Sequence, residues 1–207
     1  GSESAQWFVE PTGSEAPHYA FALGQSDYIT AYLPYAYQMP QGMTGCIVKA
    51  AKGGIAIVPT YAEGSIVPAL TPLLIKGEKG NIGAVVLNPS VTTATTPLEG
   101  NLLHGTLDNE TTEAEGDNLY YKLSYGSYAS SPLGFYWGAE GGTPFTNAAL
   151  RAYLAMPRVL AAQHQGFTLN WGEVTHVNEL PLNSDNAPHV YYDIYGRRLL
   201  SIPAHGI

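Results

Sequence analysis

The sequence predicts an all-β protein: an antiparallel β-sandwich or barrel-like body with a C-terminal β-hairpin tail. Three observations carry this. Charged residues are only 13% of the 207-residue chain, against roughly 25% in an average soluble domain. Tyr (15), Gly (23) and Pro (15) are abundant; tyrosine suits a half-buried pleated surface, while glycine and proline punctuate turns. Short β-rich runs also recur along the chain, each closed by a turn signal. The length allows one large β domain or two small ones, with a real core.

Residues 1–16 read as a tag scar, Gly1-Ser2, and an N-terminal extension, and a natural signal peptide is expected to have been removed ahead of it. The all-β body is expected over 17–172. Its strands are Tyr28 to Leu33, Cys46 to Ala50, Ile55 to Val58, Leu73 to Ile75, residues 82–87, Tyr120 to Leu123, Leu133 to Trp137 and Phe167 to Trp171. Pro34, Pro40-Gln41-Gly42, Lys52-Gly53-Gly54 and Glu63-Gly64 separate the first of them. The acidic stretch 108–117 reads as a solvated, mobile loop. Residues 173–189 read as a polar linker, and 190–207 as a C-terminal hairpin with a sorting-like tail. There Tyr191 to Tyr195 alternate, and Gly196-Arg197-Arg198 make a turn.

Asn147 to Met156 has the composition and Asn cap of a helix. An internal echo argues against it. Residues 68–75 (Pro-Ala-Leu-Thr-Pro-Leu-Leu-Ile) align without a gap on 148–155 (Ala-Ala-Leu-Arg-Ala-Tyr-Leu-Ala), and Pro72 forbids a regular helix in the first copy. The match predicts a strand over 152–155 and a repeated supersecondary unit. Pro40 to Val48 is a looser third copy, one residue longer.

Charge and cysteine content exclude several functions. The net charge is −8, and residues 81–150 hold seven acids against one base, Lys122. Nucleic acids and anionic membranes call for a basic face, so neither is an expected partner. No apolar run approaches the ~20 residues of a membrane span. The single cysteine, Cys46, forms no intrachain disulfide and reads as a small core hydrophobe.

The residues offer little catalytic chemistry. The serines lack a Gly-x-Ser-x-Gly elbow, and the six histidines lack metal-ligand spacing. The acids of 108–117 do not follow an EF-hand order. No cofactor, metal or catalytic residue is expected. The ligand chemistry worth weighing is carbohydrate binding through Tyr32, Tyr35, Tyr37 and Tyr136, whose flat faces suit sugar rings. Core packing is the competing reading. Alternation in Phe135-Tyr136-Trp137 sends Phe135 and Trp137 inward and Tyr136 outward. A row of exposed aromatics would favour sugar binding; a concave pocket with two or more acids would favour an enzyme.

Several stretches together resemble one family. Residues 29–45 (Ile-Thr-Ala-Tyr-Leu-Pro-Tyr-Ala-Tyr-Gln-Met-Pro-Gln-Gly-Met-Thr-Gly) are similar to its "YLPxAVTIPxGVxAY" opening. Residues 65–77 resemble its "xIIPAxTGVLLKG" segment, and Asn101-Leu102-Leu103-His104-Gly105-Thr106 its "NxLxGT". Residues 134–137 followed by 151–157 resemble "GFYxxxG…xxNKAYLxLP", and 191–207 a "YDLxGRR…P…GIYI" tail, although the family pattern runs on into another strand. The family is the C-terminal β-rich module of secreted and cell-surface proteins, often leucine-rich-repeat proteins, of Bacteroidetes. The resemblance implies a non-enzymatic, secreted or outer-membrane-associated accessory module serving adhesion, display or attachment. It implies other domains of the parent protein as partners, with a host or microbial glycan or protein as ligand. A carbohydrate-binding module is the alternative, and a secreted hydrolase or protease inhibitor a third reading.

Overall fold

The computed structural model describes residues 18–88, 98–114, 116–125, 132–161 and 164–169, and the backbone of 175–176, 191–192 and 198–199. By its internal contacts the chain divides into two compact units, Gly1–Val177 and Asn178–Ile207. The N-terminal extension and the linker, apart from 175–176, lie outside the described residues.

The larger unit is an all-β sandwich. Its first half runs β1 (His18–Ala22), β2 (Tyr28–Ala31), β3 (Tyr37–Gln38), β4 (Thr44–Ala51), β5 (Gly54–Tyr61), β6 (Ile66–Val67), β7 (Leu73–Lys76) and β8 (Ile82–Val86). The second runs β9 (Leu103–Thr106), β10 (Glu110–Thr111), β11 (Asn118–Tyr125), β12 (Leu133–Trp137), β13 (Thr146–Asn147) and β14 (Arg151–Pro157). It continues through a one-turn helix α1 (Arg158–Ala161), β15 (Gly166–Thr168) and β16 (Thr175–His176).

Two antiparallel five-stranded sheets result, in the orders β16-β5-β4-β7-β2 and β15-β12-β11-β14-β9. Strand for strand the halves repeat each other: β2, β4, β5 and β7 in one occupy the places of β9, β11, β12 and β14 in the other. The short ladder β3-β6 likewise corresponds to β10-β13. Pairing registers match to the residue. Cys46 opposes Leu74 in the first half, and Tyr121 opposes Leu154 in the second.

All four of these side chains are buried in the shared core between the sheets, with Val48, Ile55, Phe135, Met156 and Phe167. Such facing apolar surfaces are what drive two sheets together. The first sheet is buried on both faces. Its outer face, through Ile29, Ala31, Leu73 and Ile75, packs under the β1-β8 ladder by way of Tyr19, Phe21 and Val85. The outer face of the second sheet carries a smaller cluster of Tyr120, Phe145, Tyr153 and Ala155.

The echo between 68–75 and 148–155 is a structural equivalence. β7 and β14 are counterparts, and the segment composed like a helix is a strand, because Ala152, Leu154 and Met156 alternate into the core. The third copy leads into a different element, β4. It shares a left-handed turn residue at its third position: Gly42 has φ 70°, as Leu70 has 55° and Leu150 59°.

The acidic stretch 108–117 corrects the reading of a free loop. Asp108, Glu110, Glu113 and Asp117 are exposed, but Glu110 and Thr111 pair with Asn147 and Thr146. Thr112 is buried, and its Oγ1 accepts a hydrogen bond from the Phe145 amide at 3.2 Å. The Ala149 amide donates to Asn109 Oδ1 at 3.0 Å. The backbone bonds, side-chain caps and buried threonine tie the segment down, whatever its charge.

In the smaller unit, β17 (Tyr191–Tyr192) pairs with β18 (Arg198–Leu199), Tyr191 opposite Leu199 and Tyr192 opposite Arg198. Arg198 therefore belongs to a strand rather than to the turn; Gly196 and Arg197 lie outside the described residues.

Candidate ligand-binding groove

Where the halves meet, a groove of about 440 Å³ opens beside the end of β2. Tyr32, Asn101, His104, Glu110, Glu113 and Tyr153 line it. The Tyr32 amide donates to the Leu150 carbonyl at 3.0 Å, so the first half is stitched to the second at the groove itself. Gly105 makes room for the Tyr32 ring, since a β-carbon there would overlap it. His104, on β9, stacks on Tyr153 of β14 with centroids 5.8 Å apart and planes 25° apart. The two lie directly opposite in the ladder.

Burial raises the Tyr32 phenol above its ordinary value, and the carboxylates of Glu113 and Glu110 raise it further. The hydroxyl thus stays protonated beside two acceptors. Both glutamates are exposed at the rim, and among the described residues no lysine or arginine lines the groove. An aromatic face with carboxylates at its edge suits a ligand rich in hydroxyl donors.

The four tyrosines proposed from sequence do not form a row. Tyr32 is half-buried in the groove. Tyr35 is half-buried against the outer core of the first sheet. Tyr37 is 3% exposed inside that core, 5.5 Å from the Phe21 ring, and offers no face to solvent. Burial pushes its phenol far up. Tyr136 lies on the far side of the second sheet, over Gly166, and donates to the Pro132 carbonyl at 2.9 Å. Phe135 is fully buried in the shared core and Trp137 packs against it, as alternation requires.

Sequence reasoning did not single out Asn101, His104 or Tyr153 as site residues, nor the placing of Glu110 and Glu113. None carries a local signal, because the groove forms only when β9, β10 and β14 meet β2. Among the described residues no cluster of three or more His, Cys, Asp or Glu could hold a metal ion, and no helix is long and apolar enough to cross a membrane. Cys46 is fully buried, and burial raises its thiol to about 12. No protein-family model, curated protein or solved structure matches the chain.

Proposed function

We propose that this chain is a non-enzymatic accessory module of a larger secreted or surface-associated protein, serving adhesion, display or attachment. The observation that carries the reading is how the duplicated sandwich spends its side chains. Both sheets fill their facing surfaces with apolar residues, and two hollows on its surface are open grooves beside strand ends. The one thiol is sealed in the core and held protonated, unlike a reactive cysteine. The resemblance to the terminal modules of Bacteroidetes surface proteins supports the address, and the other domains of that parent are the expected neighbours. The test is deletion of this module from the parent protein, followed by whole-cell adhesion and surface-protease assays. The proposal expects loss of attachment or display with the upstream domains still active. Unchanged attachment contradicts it.

A second reading, carbohydrate binding, is favoured by the Tyr32 groove. Glycan-array binding by the intact chain, abolished by Tyr32→Ala and retained in Tyr136→Ala, would support it. Release of reducing sugar from the bound glycan, lost in Glu110→Gln or Glu113→Gln, would instead place the chain among hydrolases.

A further inference from the structure

The duplication exposes one asymmetry. In the first half β4 and β7 pair from Thr44–Cys46 to Leu74–Lys76 and then part. The gap is plugged by the two residues before β9. The Leu102 amide donates to the Val48 carbonyl at 2.7 Å, and the Val48 amide donates to Asn101 Oδ1 at 3.2 Å. Asn101 Nδ2 donates to the Pro72 carbonyl at 3.0 Å. A two-residue extended segment thus satisfies the strand edges that the splay would leave open.

In the second half β11 and β14 pair from Asn118–Tyr121 to Leu154–Pro157 and part at the equivalent place. Val48 and Pro72 there become Leu123 and Ala152. The counterparts of Asn101 and Leu102 are Tyr28 and Ile29, which pair with β7 and form no ladder with β11. A cleft of about 380 Å³ remains. Leu23, Leu133 and Ala152 supply apolar walls, and Ser124 and Thr146 supply hydroxyls. Lys122 and Arg151 also line it, with no acid among the described lining residues, in a chain of nine bases and 17 acids. Lys122 is exposed, while Arg151 is half-buried and its Nη1 donates to the Thr30 carbonyl at 3.2 Å.

We propose that the open cleft between β11 and β14 binds an extended acidic peptide segment of a partner protein, in the way the first half holds Asn101–Leu102. The repeat supplies the template. A backbone amide donates to the Leu123 carbonyl as that of Leu102 does to Val48, and a side-chain oxygen accepts from the Leu123 amide as Asn101 Oδ1 does from Val48. A leucine-sized side chain enters the apolar wall. A carboxylate stands where Asn101 stands, facing Lys122 and Arg151, whose charges select it over a basic residue. The cleft lies apart from the Tyr32 groove, and it stands whether or not that groove takes sugar.

The probe is the capped hexapeptide copying Glu99 to His104, carrying Asn101→Asp, titrated calorimetrically into the intact chain at low salt. It should bind, and the same peptide with lysine at that position should bind at least about tenfold more weakly. Lys122→Glu, at an exposed site that leaves the fold intact, should weaken the acidic peptide by about tenfold or more. Amide shifts should cluster at Leu123, Ser124 and Ala152. Equal binding of the two peptides, affinity indifferent to Lys122→Glu, or no binding at millimolar peptide would overturn the proposal. So would glucuronate binding at Lys122 with the peptide inert, which would make the cleft an acidic-glycan site.

Discussion

Leu70 and Leu150 are the two residues other than glycine, among those described, with positive φ, 55° and 59°, and they lie at equivalent positions of the two halves. The left-handed region costs an L-residue about 1–2 kcal/mol, so its occurrence at both copies marks a turn that the fold requires. Each turn is braced at the same carbonyl by a different hydroxyl. Thr71 Oγ1 donates to Pro68 at 2.9 Å, and Thr106 Oγ1 donates to Ala148 at 3.0 Å. Arg151 replaces the threonine in the second copy, and the neighbouring strand supplies the lost donor.

The strained turn gives a clean prediction at Leu70, a half-buried residue in the wall of the Tyr32 groove. Leu70→Ala keeps the strain and loses the contacts. Leu70→Gly loses the same contacts and relieves the strain. The glycine variant should be more stable than the alanine variant by about 1 kcal/mol in urea denaturation, the reverse of the order in an ordinary strand or helix. An alanine variant equal to or above the glycine variant would mean that the left-handed turn is not the solution conformation.

Asn101 should be worth more than its half-buried position suggests. Its side chain serves the Val48 and Leu103 amides and the Pro72 carbonyl. Asn101→Ala strands three backbone groups and should cost at least about 2 kcal/mol. Asn101→Asp keeps the acceptors and loses the donor to Pro72, so it should fall between. Chemical denaturation of the three proteins checks the order; an alanine variant within about 0.5 kcal/mol of the parent would rule out the plug.

Deleting residues 108–117 and closing the gap with glycines should cost at least about 2 kcal/mol. It removes the β10-β13 pairing, the Thr112 cap on Phe145 and the bond from Ala149 to Asn109. By contrast Asp117→Asn should cost less than about 0.5 kcal/mol. Its 2.7 Å pair with Arg158 is exposed at both ends and screened by solvent. A deletion as mild as the point change would return the segment to a free loop.

Alkaline pH should unfold the protein earlier than its low charge content suggests. Burial raises the Cys46 thiol from 9.0 to about 12 and the Tyr19 and Tyr28 phenols from 10.0 to about 12. The folded chain keeps protons that the unfolded chain releases. This stabilisation is complete below about pH 9 and is lost as pH rises toward 12, at about 1.4 kcal/mol per pH unit for each lagging group. Denaturation midpoints measured at pH 7, 9 and 10.5 should fall over the last interval, and Cys46→Ala should lessen the slope. A flat profile would place these groups in water.

Much of the fold was legible because it is local and periodic. The alternation of Phe135, Tyr136 and Trp137 gave their faces. The echo of 68–75 in 148–155 overrode the helix propensity of Asn147 to Met156, since Pro72 speaks for both copies. What was illegible depends on long-range pairing. Composition reports that Asp108 to Asp117 is exposed, but says nothing of Thr112 docking beneath Phe145. Tyr37 looked like a candidate sugar platform, because Pro34 breaks the alternation that would have turned it inward. The groove around Tyr32 and the plug at Asn101 join residues about 50 to 120 positions apart, beyond any local pattern.

The central claim is that two copies of one β unit fold as a single body, each laced into the other. Native-state amide hydrogen exchange tests it most directly. The bridging amides are Tyr32, bonded to Leu150, and Leu102, bonded to Val48. They should open with the same free energy as the core amides of Cys46 and Leu154, in one global event. Bridging amides that exchange freely while the strands of each half stay protected, or halves that open at separate free energies, would contradict it.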